Sequence, residues 1–141
     1  MYGGHAIIYV DGACSRNGLP DASAAIGVDW PDRPSLNVSE RIGGRQTNQR
    51  AEILAAARGI EQAKRQGYSS VEVRLDSAYV RRACEEWMPN WERTNWNNNQ
   101  ISNRADFERL RNAMRDIDVE FTQVPRDENP ADALARYAAR S

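Results

Sequence analysis

The chain has 141 residues, a length suited to one compact domain, and 40% of them are hydrophobic, enough for a sizeable core. Its net charge is −1 and its pI near 5.9, which argues against a uniformly basic nucleic-acid module, where the pI exceeds ~9. Lys64 is the single lysine among the cations; arginine favours forked contacts to phosphate, so a local cationic surface remains compatible with an acidic pocket elsewhere.

The opening "MYGGHAIIYVDG" has no basic segment followed by a long apolar run and is not read as a signal peptide. No run of ~18 apolar residues predicts a membrane span. Within it, "HAIIYVDGACS" is apolar, β-branched and aromatic, and predicts a buried strand ending at Asp11. Cys14 and Cys84 are far apart and outside any CxxC pair, which points to a reducing intracellular compartment rather than a disulfide scaffold or zinc site. "SRNGLPD" carries turn chemistry in Asn17-Gly18 and Pro20. "SAAIGVDW" and "LNVSERI" predict two more strands around the turn "PDRP". These connections are too short for crossover helices, so the three strands form an antiparallel meander.

"TNQRAEILAAARGIEQAKRQG" is the clearest helix, with Thr47 or Asn48 to cap it and Gly67 to stop it. Ile53, Ala57 and Ile60 make a core stripe at helical spacing. Beside it run Glu52, Ala56, Gly59 and Ala63, whose small members let a helix lie close to a sheet. Glu52 sits at the edge of that close-packed side, an odd place for a solvating acid. "VEVRLDS" alternates, with Val71, Val73 and Leu75 on one face and Glu72, Arg74 and Asp76 on the other. A helix "AYVRRACEEWM" follows, then "PNWERTNWNNNQISNR", which reads as irregular, with Asn97 to Asn99 at a loop tip. "ADFERLRNAMRD" predicts a helix, "DVEFTQV" a strand and "NPADALARYAARS" a last helix. The order is βββαβ(α)αβα, with no internal repeat, linker or domain boundary, so residues 1–141 read as one domain.

Three acids stand where elements end: Asp11 at the first strand, Asp76 at the strand after the long helix, and Glu52 in that helix's first turns. Ends of neighbouring strands form the usual site of an α/β sheet, so the three could share one oxygen-rich pocket. The last helix adds Asp132 at its third position, behind Asn129 as N-cap and Pro130 as first residue. Each acid has a plain structural alternative. Asp11 suits a strand-end turn, Glu52 a helix surface, Asp76 an N-cap, and Asp132 a capping box with Asn129. Asp127 and Glu128 read as solvated loop. Four clustered carboxylates need compensation, and hard divalent cations such as Mg²⁺ supply it. Two ions ~4 Å apart suit phosphodiester hydrolysis, and an ion that lowers the pKa of water removes the need for a histidine base.

Together, "YVDGACSRNG", "GRQTNQRAEILAA", "LDSAYV" and "VPRDENPADALA", in this order, resemble the type 1 ribonuclease H domain over essentially the whole chain. Strand-Asp-Gly alone also resembles actin-like ATPases; "TNQRAE" is the most specific piece. The resemblance implies an α/β, RNase H-like fold, a five-stranded mixed sheet flanked by helices. It implies a monomeric, intracellular endonuclease that cuts the RNA strand of RNA/DNA hybrids and leaves 3′-hydroxyl and 5′-phosphate ends. It implies two Mg²⁺ ions, replaceable by Mn²⁺, held by Asp11, Glu52, Asp76 and Asp132. In the family's scheme Asp11 bridges both ions, Glu52 and Asp76 hold the one nearer the leaving group, and Asp132 the one that activates water.

By the same resemblance Cys14, Ser15, Asn17, Asn48 and Gln49 meet the hybrid, with Asn48 and Gln49 at ribose 2′-hydroxyls, the group that separates RNA from DNA. Arg45, Thr47 and Asn103 match a DNA-phosphate pocket, and Tyr79, Trp87, Trp91 and Trp96 a DNA-strand channel; core packing is the alternative for the tryptophans. The matching protrusion offers only Arg93, which implies weaker hybrid binding than in lysine-rich relatives. "VPRDEN" is shorter than the Gly- and His-containing loop of many relatives, and His5 cannot replace that histidine, which implies slower product release. No separate N-terminal hybrid-binding domain is expected. Two other functions fit the same residues: a catalytically silent nucleic-acid-binding module, and a metal nuclease that also cuts double-stranded RNA.

Overall fold

In the computed structural model, which describes residues 4–96 and 101–141, five strands form one mixed sheet in the order β3-β2-β1-β4-β5. The strands are β1 (His5–Ser15), β2 (Ser23–Asp29), β3 (Val38–Arg41), β4 (Ser70–Leu75) and β5 (Asp118–Gln123). The meander holds, since β1–β2 and β2–β3 are antiparallel. β1–β4 and β4–β5 are parallel, as strands separated by helices require. β1 does not end at Asp11. It pairs with β4 as far as Tyr9↔Arg74, then continues against β2 alone to Ser15↔Ser23. Asp11 therefore lies just past the point where β4 leaves β1, and Asp76 follows the last residue of β4.

Helix α1 (Asn48–Arg65) is capped by Thr47, whose hydroxyl accepts from the Arg50 N–H at 3.1 Å. It stops at Gly67, which adopts φ +88°. Both expected stripes enter the core: Ile53, Ala57 and Ile60 are fully buried, as are Ala56 and Ala63. At Gly59 an added Cβ would come within 2.5 Å of Ile8 Cδ1, so the helix lies as close as a missing side chain permits. Ile8, Val10, Val28, Val71 and Val73 complete this core with Phe107 and Leu110 of α4 (Arg104–Ala113). On the other face α5 (Ala131–Ala139) packs its alanines against Ala13 and Ala25. Gly27 has no room for a Cβ beside the Ala131 carbonyl, and Gly27 is the strand partner of Asp11.

The segment after β4 is more helical than its sequence suggests. α2 (Ala78–Arg82) runs through a π-turn (Ala83–Trp87) into α3 (Met88–Arg93). The start of "PNWER" is thus helix rather than irregular chain. Pro89 is tolerated because it stands in the first turn of α3, and the π-turn rotates Trp87 and Trp91 onto one aromatic cluster. Asn97, Asn98 and Asn99, read as a loop tip, lie outside the described residues. Among the described residues no helix is long and apolar enough to cross a membrane.

Candidate active site

Asp11, Glu52 and Asp76 each offer one carboxylate oxygen within 4.8 Å of the others. They arrive from three elements: the middle of β1, the second turn of α1 and the residue after β4. Close approach of β1 and α1 depends on Gly12, where a Cβ would overlap the Ala51 and Glu52 backbone. Asp132, in the first turn of α5, adjoins Asp11. Its Oδ2 also accepts from Arg136 Nη1 at 3.2 Å.

Asp11 is 4% exposed. Its Oδ1 accepts from the Gly12 N–H at 2.9 Å, while Oδ2 is buried with no partner. Burial, then the charges of Asp76 and Asp132, push its carboxyl up to about 8. Burial also raises Glu52 to about 7, with Asp76 adding and Ser77 and Arg126 opposing. Asp76 is raised by burial and by Asp132, against a hydrogen bond from Asn129 and the charge of Arg126. An orphaned carboxylate oxygen among acids that resist ionisation is an arrangement that could hold a cation. The donors are all hard oxygens, with no imidazole or thiolate among them, which fits Mg²⁺ or Mn²⁺.

Two of the structural alternatives do not form, the N-cap role of Asp76 and the capping box of Asp132. Ser77, not Asp76, caps α2: its hydroxyl accepts from the Val80 N–H at 3.2 Å. No capping box forms at α5. Pro130 occupies the N-cap position, and the Asn129 N–H donates to the Arg126 carbonyl rather than to Asp132. The buried Asn129 side chain has a larger task. Its Nδ2 donates to the Val10 carbonyl at 3.0 Å and reaches Asp76 Oδ2 at 3.5 Å, and its Oδ1 accepts from the Ala131 N–H at 3.0 Å. One side chain thus ties β1, the end of β4 and the start of α5 together at the carboxylates. The sequence signal for Asn129, a helix cap before Pro130, located it but not this role.

Beside the carboxylates lies a depression of about 430 Å³ lined by Cys14, Ser15, Asn17, Asn48, Arg126 and Asp132, with Arg136 and Arg140 on its rim. Asn17 Oδ1 accepts from the Asn48 N–H at 3.4 Å, coupling the turn after β1 to the start of α1. Gln49 is exposed next to it. Ser15 donates its hydroxyl to the Ala139 carbonyl at 3.1 Å, a contact that ties β1 to α5. On the other side of Glu52, Arg126 and Tyr79 line a second recess with Asp76. Arg126 faces both recesses, and only the three-dimensional fold shows this.

Thr47 and Asn103 hold the N-cap positions of α1 and α4, whose first turns are joined by the Arg50–Asp106 ion pair, and Arg45 lies in the loop just before α1. Asn103 adopts φ +57° and donates Nδ2 to the Tyr79 hydroxyl at 3.1 Å. From Tyr79 an aromatic chain runs to Trp87 at 5.7 Å between centroids, then Trp91 at 6.4 Å and Trp96 at 5.4 Å, with Phe107 behind. The three tryptophans are half-buried; one side of each packs on the core and the remaining surface is available to a ligand. Burial raises the pKa of both thiols, Cys84 up to about 12, which disfavours the thiolate.

The family profile described as RNase H matches residues 4–140. The chain belongs to the RNase H family. It is 36% identical to Ribonuclease H1 of Homo sapiens over 98% of its own length, yet spans only 51% of that protein. It thus covers about half the length of the mammalian RNase H1 proteins it matches. Among solved structures it is similar to RNase H1 from the halophilic archaeon Halobacterium salinarum, at 31% identity and a TM-score of 0.69, with 96% and 97% of the two chains covered. It shares its fold with LC11-RNase H1, solved with an RNA/DNA hybrid, at 24% identity, a TM-score of 0.66 and 95% and 96% coverage. These RNase H folds place the mixed sheet and its flanking helices in an established frame.

Proposed function

We propose that this RNase H chain is a divalent-cation-dependent endonuclease that hydrolyses the RNA strand of RNA/DNA hybrids, leaving 3′-hydroxyl and 5′-phosphate ends. The observation that carries this reading is the buried, partnerless Oδ2 of Asp11 inside a cluster of acids, in a chain of this family. Asp11, Glu52, Asp76 and Asp132 would hold two Mg²⁺ ions, with Mn²⁺ as substitute. When bound, such ions neutralise the phosphate and lower the pKa of water.

The protein's own groups bind and align. Asn48 and Gln49, beside Asn17, face the RNA strand, where hydrogen bonds to the 2′-hydroxyl select ribose. Arg45, Thr47 and Asn103 hold a phosphate of the DNA strand, and Tyr79, Trp87 and Trp91 offer aromatic faces to its sugars and bases. Two-sided anchoring fixes the RNA phosphate over the carboxylates, which is where positioning lowers the barrier. Asn129 keeps Asp76 and α5 in register, and the charge of the exposed Arg126 supports ionised Glu52 and Asp76. The shorter loop before α5 lacks a histidine, which makes product release the slow step.

Side-by-side incubation with an RNA/DNA hybrid, double-stranded RNA and double-stranded DNA, with Mg²⁺ or with EDTA, tests this. Cleavage of the hybrid that stops with EDTA supports it. Equal cleavage of double-stranded RNA would shift the substrate class, and cleavage of DNA would overturn the reading.

A further inference from the structure

Arg50 is a cation at the third position of α1, where the helix dipole disfavours positive charge. It is nevertheless held inside, its side chain 17% exposed against Asp106 at 13%. Nε and Nη2 donate to the two Asp106 oxygens at 2.9 and 3.2 Å. Nη1 donates to the Gly43 carbonyl at 2.9 Å and to the carbonyl of Arg45. The loop 43–46 wraps this guanidinium, helped by Gly44 at φ +72°, where a Cβ would crowd Nη1 at 3.4 Å. Gln46 fastens the same loop to β2: Oε1 accepts from the Ala24 N–H at 2.7 Å, and Nε2 donates to the Gly44 carbonyl at 2.9 Å.

Asp106 holds the third position of α4, as Arg50 does in α1. Their ion pair therefore joins the first turns of two helices whose N-cap residues are Thr47 and Asn103. Arg45 hangs from the loop closed around the same guanidinium, and its own side chain is exposed with no ion pair among the described residues. The half-buried Arg50 thus links the loop that carries Arg45 to the two helix starts that carry Thr47 and Asn103, and it bonds none of Asp11, Glu52, Asp76 or Asp132.

We propose that Arg50, paired with Asp106, is a positioning residue that holds Arg45, Thr47 and Asn103 in phosphate-binding shape and so sets affinity for the DNA strand of the hybrid. This rests on the reading of those three residues as a DNA-phosphate pocket. Lysine's compact ammonium lacks the planar fork with which Arg50 holds both Asp106 oxygens while bonding the Gly43 and Arg45 carbonyls. The lost shape should appear in binding, because Arg50 bonds Asp106 and the Gly43 and Arg45 carbonyls but none of Asp11, Glu52, Asp76 or Asp132.

The test is hybrid cleavage by R50K, R45A and the R50K/R45A double variant, with KM and kcat determined separately and folding followed by thermal unfolding. Expected is a rise in KM of roughly tenfold in R50K, kcat within about threefold, and no further rise in the double variant, because the two residues act through one pocket. A destabilised but otherwise independent Arg50 would give multiplicative effects, and that overturns the proposal. An unchanged KM in R50K beside a raised KM in R45A overturns the positioning role alone. An unchanged KM in R45A overturns the pocket and the proposal with it. If R50K fails to fold, D106N makes the same comparison from the other partner, keeping the side-chain shape but losing the charge.

Discussion

Replacing Asp11 by Asn should stabilise the metal-free protein at alkaline pH. The folded carboxyl is raised from 3.8 to about 8. A raised acid contributes stability while it is protonated, below its unfolded value near 4, and that contribution is lost as pH rises through about 8. Four units at ~1.4 kcal/mol each set a ceiling of ~6 kcal/mol. Part of that is repulsion shared with Asp76 and Asp132, which relaxes when water enters, leaving ~2–4 kcal/mol as the gain from Asp11→Asn at pH 8.5. Glu52, raised to about 7, acts in the same direction. Urea unfolding in EDTA at pH 5 and pH 8.5 measures the gap directly. The variant should exceed wild type at pH 8.5 and lose most of that advantage at pH 5. Added Mg²⁺ should stabilise wild type at pH 8.5 and the variant much less. A gap independent of pH, or a variant less stable than wild type at pH 8.5, refutes the idea of a strained acid cluster relieved by a cation.

Asn129→Ala leaves the Val10 carbonyl and the Ala131 N–H unpaired in a buried position; a loss of ~2–4 kcal/mol in urea unfolding is expected, together with lower activity. Gly59→Val should cost more than 2 kcal/mol, because its methyls enter the Ile8 and Val10 side chains, whereas Gly43→Ala meets nothing within 4 Å and should change the melting temperature little. Cys84→Ala should keep hybrid cleavage within about threefold of wild type, as expected for a thiol whose pKa burial pushes up to about 12.

The fold was legible where one physical signal dominated. Alternation in β4 and the small-residue line of α1 set burial directly, and Gly59 marks where helix and sheet touch. The three-residue cluster was legible for a topological reason: β1 and β4 are parallel neighbours, and Asp11 and Asp76 stand just past the point where their pairing stops. Asp132 was separable from Asp127 and Glu128 because Pro130 fixes where the last helix begins. The stretch "PNWER" misled because its Asn- and Trp-rich composition reads as irregular, whereas it continues the preceding helix as α3, with Pro89 in the first turn and Trp87 and Trp91 packed together. Asn129, Arg126 and Arg50 share another obstacle. Their partners lie 119 residues away for Asn129 with Val10 and 56 for Arg50 with Asp106, and no periodicity carries such pairings.

The most direct test of the central claim is cleavage of a hybrid labelled on its RNA strand, with wild type and Asp76→Asn compared in Mg²⁺. Asp76→Asn removes one of the clustered charges while keeping the side-chain shape beside Asn129. The account predicts RNA products with 3′-hydroxyl ends from wild type and a loss of at least a hundredfold in rate for the variant. An intact RNA strand with wild type, or an undiminished rate with Asp76→Asn, would contradict it.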